Sequence, residues 1–169
     1  QLRQVTQIDV RVISGQEEAR LIYLGVAGGI QSGDRQVFFI DIGGGSTGVA
    51  VGDMRTYQFL DSFRLGAIRL SNLYFPAGNT GPVTKDQYKR VQHHIRDTVI
   101  HAMKKVRALE PAAALGSSGT IMNLAEIAQK ALRAGGSAGD SVLSLRDLQK
   151  VIGLLCSLPL EPRRKVPGM

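Results

Sequence analysis

One segment combines the residue types that could hold a phosphate and a metal ion, Asp41-Ile-Gly-Gly-Gly-Ser-Thr47. Apolar runs at 37–42 and 49–51 flank it and are typical of buried strands. Glycines in a tight strand–turn–strand connection permit positive φ and let an anion approach the backbone N–H groups. Asp41 could bind a divalent cation, and Ser46 offers a hydroxyl nearby. No helix is expected after the glycines, so this is neither a dinucleotide fingerprint nor a P-loop. A plain hairpin turn without a ligand is the alternative.

A second candidate anion site is Leu115-Gly-Ser-Ser-Gly-Thr120. Here the predicted order is strand, glycine loop, helix, so that free N–H groups and the helix dipole could bind phosphate. An ordinary strand-to-helix turn with a Ser or Thr cap is the alternative. Two glycine–serine segments of this kind in one chain favour phosphate binding more strongly than either does alone.

Glu17 and Glu18 form an acidic pair at the start of a predicted helix. Ser14 and Glu17 have the spacing of a capping box, which assigns Glu17 to capping. Adjacent helical residues point about 100° apart, so Glu18 is free to project elsewhere. A partner for the helix dipole is the simpler interpretation of Glu18.

The remaining pattern predicts helices between strands, with both hairpins and strand–loop–helix turns. Such a pattern indicates an α/β lobe with a mixed sheet. The predicted strands are 5–13, 37–42, 49–51, 56–64 and 112–115; the predicted helices are 14–26, 65–74, 84–106, 120–133 and one that Ser144 caps; polar or glycine-rich loops are predicted at 27–35, 76–82 and 134–140.

Composition limits the kind of protein. The 169 residues are 43% hydrophobic, enough for one core or one large lobe. A net charge of +7 favours polyanionic partners, meaning nucleic acid, acidic membrane or phosphate-rich substrates. The basic clusters at 104–107 and 163–165 lack the interleaved aromatics of a single-strand nucleic-acid groove, so specific nucleic-acid binding rests on charge alone. No apolar run reaches transmembrane length, and no membrane partner is expected.

Two other residue types are assigned to structure. Cys156 is the one cysteine, which excludes an internal disulfide, fits a reducing, cytoplasmic compartment and predicts a buried thiol. The histidines at 93, 94 and 101 fall on the long helix without a Cys or acidic partner at metal-ligand spacing, so a solvated face is favoured.

Four segments in the same order and spacing resemble the exopolyphosphatase / guanosine pentaphosphate phosphohydrolase (Ppx/GppA) family. They are 12–25 (VISGQEEARLIYLG), 41–47 (DIGGGST), 63–70 (FRLGAIRL) and 116–121 (GSSGTI). The resemblance implies a ribonuclease-H-like lobe of the actin/sugar-kinase/heat-shock-chaperone superfamily, a mixed sheet flanked by helices. It further implies that residues 1–169 are one lobe, the second of two, with the first lobe absent and the C-terminus truncated. Dimerisation through the surface that a first lobe normally covers is left open.

The resemblance also assigns roles by matching position. Glu18 corresponds to the proposed general base and Asp41 to an acid associated with Mg²⁺. The residues that correspond to the phosphate cradle are Gly43, Gly44, Gly45, Ser46, Gly116, Ser117, Ser118, Gly119 and Thr120.

The implied function is release of the terminal phosphate from inorganic polyphosphate, with guanosine pentaphosphate as the other candidate substrate. Gly48 departs from the family, which commonly has a Glu there that is thought to assist catalysis. The alternative is therefore a catalytically weak regulatory protein that binds polyphosphate or an alarmone nucleotide. We expect little or no activity from the 169 residues alone, because the other half of the cleft is missing.

Overall fold

The fold is a four-stranded mixed sheet with helices packed on it. A computed structural model describes residues 7–28, 35–53, 55–75, 78–132 and 142–169. The strands are β1 (Val37–Ile42), β2 (Thr47–Gly52), β3 (Tyr57–Phe63) and β4 (Ala113–Ser117), and the helices are α1 (Gly15–Ala27), α2 (Ala67–Tyr74), α3 (Lys85–Ala108), α4 (Ser118–Ile127), α5 (Leu145–Ser157) and α6 (Leu160–Arg164). A π-helical turn, Ala128–Leu132, continues α4.

The strand order is β3-β2-β1-β4. The first three strands form the antiparallel meander that their apolar runs and the intervening turn residues predict. β4 joins β1 in parallel, and its register sets Asp41 beside Ser117. Because parallel neighbours end at the same edge, the segments that follow β1 and β4 emerge next to each other.

One core lies between α1 and the sheet. Tyr23 is 1% exposed, and its ring packs edge-on against Phe39 and Tyr57 at centroid distances of 5.0 and 5.7 Å. Its hydroxyl donates to the carbonyl of Asp53. Burial, followed by the charge of Asp53, raises the pKa of Tyr23, so the phenol stays neutral. These contacts hold α1, and with it Glu18, against the sheet.

A second core joins α4, α5 and the last residues of the chain. Ile127, Ala128, Val151 and Val166 are buried there. Cys156 is only half-buried, and burial raises the pKa of its thiol while the nearby Arg163 lowers it. Among the described helices, none is long and apolar enough to cross a membrane.

The helix starts follow their predicted caps. Ser14 Oγ accepts from the N–H of Glu17 at 3.1 Å, and Ser144 Oγ accepts from that of Asp147 at 3.1 Å. Thr84 and Gln87 form the full reciprocal box ahead of α3. Each cap involves residues only three positions apart, so it can be recognised from the sequence alone.

Two predictions are corrected, and one helix was missed. Residues 7–13 form no strand: the edges of the sheet are β3 and β4, and neither pairs with this segment. The short helix α6 was not predicted. The strand predicted at 112–115 instead runs to Ser117, and α4 begins at Ser118, so no separate glycine loop lies between them. Of the predicted loops at 27–35, 76–82 and 134–140, residues 29–34, 76–77 and 134–140 lie outside the described residues.

Candidate phosphate and metal site

The two glycine–serine segments meet at the edge where β1 and β4 end. Ser117 Oγ donates to Asp41 Oδ1 at 2.7 Å. Ser118 Oγ donates to the carbonyl of Ile42 at 2.8 Å. Residues 76 positions apart in sequence are thereby joined by two side-chain hydrogen bonds. The sequence predicts two separate anion loops, and the structure brings them together.

The carbonyl groups of the three glycines are occupied by the start of α2. The N–H groups of Ala67, Arg69 and Gly66 donate to the carbonyls of residues 43, 44 and 45 at 2.9, 3.0 and 3.2 Å. The Gly43 N–H closes the turn by donating to the Ser46 carbonyl at 3.0 Å. These hydrogen bonds therefore fix the position of the turn against α2.

The donors of the same turn are available. In the described part of the chain, the N–H groups of Gly44, Gly45 and Ser46 have no hydrogen-bond acceptor. Successive backbone N–H groups in a turn form a concave site for an anion. The three N–H groups are therefore available to an anion, and phosphate binding by this turn stays a prediction.

Gly66 is the glycine that this arrangement requires most strictly. A Cβ on Gly66 would lie 2.4 Å from the backbone carbon and oxygen of Gly44 and from the carbonyl carbon of Gly45. Gly66 lies in the segment 63–70 that resembles the family, but the sequence predicts no role for it. Its function is to let α2 approach the turn closely enough to bind its carbonyl groups.

Glu18 lies at the same turn. Ser46 Oγ donates to Glu18 Oε2 at 3.2 Å, and the Glu18 side chain is otherwise exposed. Glu17 takes a different direction, because its carboxylate accepts from Arg20 at 2.7 and 2.8 Å. This hydrogen bond lowers the pKa of Glu17. The predicted separation of the two acids is present, but Glu17 makes an ion pair with Arg20 in place of the return bond of a capping box.

Gly48 lies on β2, where it pairs with Asp41 of β1 and with Ser62 of β3. A Cβ at Gly48 would be 3.2 Å from the Cβ of Ala19 on α1. One row across the four strands, on the face that α1 covers, consists of Ser62, Gly48, Asp41 and Ser117. The glycine thus permits close packing of α1 on β2, and it leaves Asp41 without a neighbouring carboxylate in that row.

Ser118 adopts the left-handed region, with φ of +72°. A serine there carries a conformational cost of order 1 kcal/mol, which the bond from its hydroxyl to Ile42 offsets. This backbone geometry allows β4 to turn directly into α4. Gly116 lies inside β4, where a Cβ would meet the Ile121 side chain at 2.5 Å, whereas Gly119 faces open space. The N–H groups of the first turn of α4, which includes Thr120, have no intrahelical acceptors.

The side chains of the site do not form a complete set of metal ligands in the described part of the chain. No group of three or more His, Cys, Asp or Glu side chains that could hold a metal occurs among the residues that the structure describes. Mg²⁺ usually takes one or two carboxylates and completes its shell with water and substrate phosphate. Asp41 could supply one such carboxylate, because Ser117 bonds to its Oδ1 and not to its Oδ2.

The chain is similar in sequence and in fold to known proteins. Residues 1–169 match the model of the Ppx/GppA phosphatase family. An uncharacterized protein of Streptomyces coelicolor is 28% identical over 164 residues, which are 97% of this chain and 48% of that protein. An exopolyphosphatase from Cytophaga hutchinsonii superposes with a TM-score of 0.84 at 26% identity, over 99% of this chain and 54% of that one.

The Aquifex aeolicus PPX-GPPA enzyme shares the fold, with a TM-score of 0.76 at 23% identity over 97% of this chain and 52% of that one. These neighbours belong to the actin-like ATPase superfamily. The expected ribonuclease-H-like fold class is therefore confirmed. The chain spans about half the length of the relatives that it matches.

Proposed function

The chain belongs to the Ppx/GppA phosphatase family, and from this membership we propose that it is part of a phosphoanhydride hydrolase, an enzyme that releases the terminal phosphate of inorganic polyphosphate. The observation that carries the proposal is the hydrogen bond from Ser46 to Glu18. It joins a carboxylate on α1 to a turn whose N–H groups are free to bind phosphate. The carboxylate proposed as the base is thus hydrogen-bonded directly to the turn that would bind the anion.

Binding and positioning are the first task of these residues. The free N–H groups of Gly44, Gly45 and Ser46 bind oxygens of the terminal phosphate. The first turn of α4 adds N–H groups and the positive end of its dipole. Phosphoryl transfer depends chiefly on such positioning and on stabilising the charge of the transition state.

Glu18 acts as the general base. Its Oε1 has no hydrogen-bond partner in the described part of the chain, so this oxygen can accept a proton from water. The water oxygen forms a bond to the terminal phosphorus as the bridging P–O bond breaks. The shortened polyphosphate leaves with the electron pair of that bond, and the proton remains on Glu18 until solvent removes it. Asp41 is the carboxylate that would hold Mg²⁺, which when bound neutralises charge on the phosphate oxygens.

The test is Mg²⁺-dependent phosphate release from polyphosphate by the complete polypeptide that contains residues 1–169. Glu18→Gln should lower kcat about 100- to 10,000-fold, the usual contribution of a general base, while polyphosphate binding is retained. Glu17→Gln is the matched control, because it alters the adjacent carboxylate, which bonds to Arg20 and not to the turn. Equal rates in the two variants would exclude Glu18 as the base. Guanosine pentaphosphate, assayed in parallel, ranks the two substrates.

A regulatory polyphosphate binder is the second candidate, and Gly48 favours it. The position next to Asp41 in the row carries no side chain, so the site has one acid fewer than the family pattern. Gly48→Glu should then raise phosphate release substantially. Gly48→Ala is the control, because it adds the Cβ without the carboxylate.

Close packing complicates that test. The new Cβ would be 3.2 Å from Ala19, so α1 must yield by a few tenths of an ångström. Pairing Gly48→Glu with Ala19→Gly relieves the contact at a helix cost of about 1 kcal/mol. An active wild type that gains nothing from either Glu variant would support the hydrolase. An inactive wild type that binds polyphosphate and gains activity would support the binder.

A further inference from the structure

One basic side chain beside the glycine turn has no part in the proposed mechanism. Arg64 follows the last residue of β3, and it forms no ion pair or hydrogen bond within the described part of the chain. It is exposed, whereas the next two residues, Leu65 and Gly66, are buried. A guanidinium is charged throughout the physiological pH range, so Arg64 is a permanent cation that none of its described neighbours neutralises.

The backbone that follows Arg64 is fixed against the turn. Thr47 Oγ1 donates to the carbonyl of Leu65 at 3.0 Å, and the N–H of Gly66 donates to the carbonyl of Gly45 at 3.2 Å. Thr47 is buried, so water does not compete for the first of these bonds. Arg64 therefore projects from a backbone that is already held in place, and only its side chain has to become ordered when a ligand binds.

The register of the strands sets Arg64 next to the start of β2. Phe63 is the last residue of β3, and it pairs with Thr47, the first residue of β2. Ser46 and Arg64 are the residues that flank this pair on the outer side. Neighbouring strands lie about 4.8 Å apart, which is less than the length of an extended arginine side chain. The backbone N–H of Ser46 is thus within reach of the same anion as the guanidinium.

Alternation along β3 indicates the face of the sheet to which Arg64 belongs. Leu60 packs against the core under α1, and Ser62 lies in the row that α1 covers. Side chains at every second position of a strand lie on one face. Arg64 continues the series of Leu60 and Ser62, so it belongs to the face from which Glu18 reaches Ser46.

The opposite face of the sheet is occupied by helices. Phe59 lies on that face, with Lys105 Nζ of α3 at 6.0 Å from its ring centroid. α2 packs on α3 and donates to the carbonyls of the turn. The face of α1 is therefore the one left to a ligand, which would meet Glu18, Ser46 and Arg64 together.

We propose that Arg64 binds a non-bridging oxygen of the terminal phosphate and stabilises the charge on it as the bridging P–O bond breaks. This inference rests on the proposed function. Arg20, the basic residue next to Glu18 on α1, is already bonded to Glu17. A guanidinium donates hydrogen bonds without giving up a proton, so the proton of the attacking water still goes to Glu18. Stabilisation of charge by fixed donors is a main source of rate in phosphoryl transfer.

The test measures kcat for phosphate release and the affinity for tripolyphosphate, both on the complete polypeptide. Arg64→Ala should lower kcat about 100- to 1,000-fold, the usual effect of removing one donor to a developing charge. It should weaken tripolyphosphate binding about 10-fold, as expected when a hydrogen bond to a charged group is lost. Arg55→Ala is the matched control, because Arg55 is an exposed arginine at the opposite end of β2 and β3.

Two further measurements separate direct contact with phosphate from an effect on structure. Guanidinium ion, added to Arg64→Ala at concentrations too low to unfold the protein, should restore part of the lost activity. Arg64→Lys keeps the charge but not the planar fork of donors, so its kcat should lie between those of the wild type and Arg64→Ala. A loss of activity that neither guanidinium nor lysine restores would overturn the inference.

The outcomes also separate this inference from the proposed function. If the wild type binds tripolyphosphate but releases no phosphate, weaker binding by Arg64→Ala than by Arg55→Ala would support the contact and reject the hydrolase. Phosphate release with equal kcat and equal affinity in the two alanine variants would reject the contact and leave the hydrolase. Absence of tripolyphosphate binding by the wild type would likewise overturn the inference.

Discussion

Ser117 fixes one oxygen of Asp41, the acid that the family resemblance assigns to Mg²⁺. The hydroxyl donates to Oδ1 at 2.7 Å, a short bond to a charged acceptor. Such a bond restricts the rotation of the carboxylate and leaves Oδ2 to a cation. If Asp41 holds Mg²⁺ as the resemblance implies, Ser117 is a positioning residue, because its hydroxyl contacts Asp41 and would act on the ion only through it.

Ser117→Ala should weaken Mg²⁺ binding about 10-fold, the lower end of the effect of losing a hydrogen bond to a metal ligand. Direct titration with Mg²⁺ measures this without any assay of activity. Ser62→Ala is a suitable control, because it removes a hydroxyl from the same row across the sheet without touching Asp41. Equal affinity in the two variants would contradict the role of Ser117.

Single-residue predictions succeed where helix geometry decides them. The 100° step on α1 separates Glu17 from Glu18, and the structure has Glu18 at Ser46 and Glu17 at Arg20. The positive φ of Ser118 could not be predicted, because serine rarely adopts it and the compensating bond goes to Ile42, far away in sequence. The catalytic and metal roles of Glu18 and Asp41 stay predictions.

At the level of secondary-structure elements, the position of α2 depends on a contact that admits no side chain. Gly66→Ala would bring a Cβ to 2.4 Å from the backbone of residues 44 and 45. Backbone atoms cannot rotate away, so α2 or the turn must move. We expect a loss of about 1–3 kcal/mol in the free energy of unfolding, together with weaker tripolyphosphate binding.

Denaturant unfolding and titration with tripolyphosphate measure these two effects. Gly153→Ala serves as the control, because a Cβ there meets nothing within 4 Å on α5. In a helix that change should stabilise the protein by about 1 kcal/mol. If Gly66→Ala bound tripolyphosphate as the wild type does, the contact between α2 and the turn would not matter for the site.

The elements that the sequence predicts well have local signals. Apolar runs between turn residues give β1 to β3, and capping residues give the starts of α1, α3 and α5. The strand predicted at 5–13 fails over residues 7–13 because alternation reports the preference for a sheet, whereas a strand also needs an adjacent edge. The predicted boundary between β4 and α4 was wrong because Gly-Ser-Ser-Gly resembles a loop. In the structure, Gly116 and Ser117 continue the ladder with β1.

Over the whole molecule, the described residues include two clusters of buried side chains. One holds α1 on the sheet, and the other holds α4, α5 and the C-terminal residues together. Contacts such as the hydrogen bond from the Leu160 N–H to the Thr80 carbonyl link distant segments. Packing of this kind has no periodic signal, which is why α6 and the burial of Val166 were not predicted.

Ile127 is 1% exposed in the second core. Ile127→Ala should therefore reduce the free energy of unfolding by about 2–5 kcal/mol, through lost burial and a residual cavity. Ile100→Ala removes the same atoms from a side chain that is 49% exposed and should change stability by about 0.5 kcal/mol or less. Chemical denaturation of both variants checks the difference. Similar losses would mean that the second core does not contribute as its burial indicates.

The hydrogen bonds of the glycine turn have a consequence for the side from which a ligand can approach. The carbonyls of residues 43, 44 and 45 accept from the start of α2, so they point toward that helix. In a trans peptide the N–H points opposite to the C=O of the same unit, so the N–H groups of Gly44, Gly45 and Ser46 face away from α2. We therefore expect an anion to meet this turn on the side opposite α2, and substitutions at exposed positions of α2 should leave tripolyphosphate affinity unchanged.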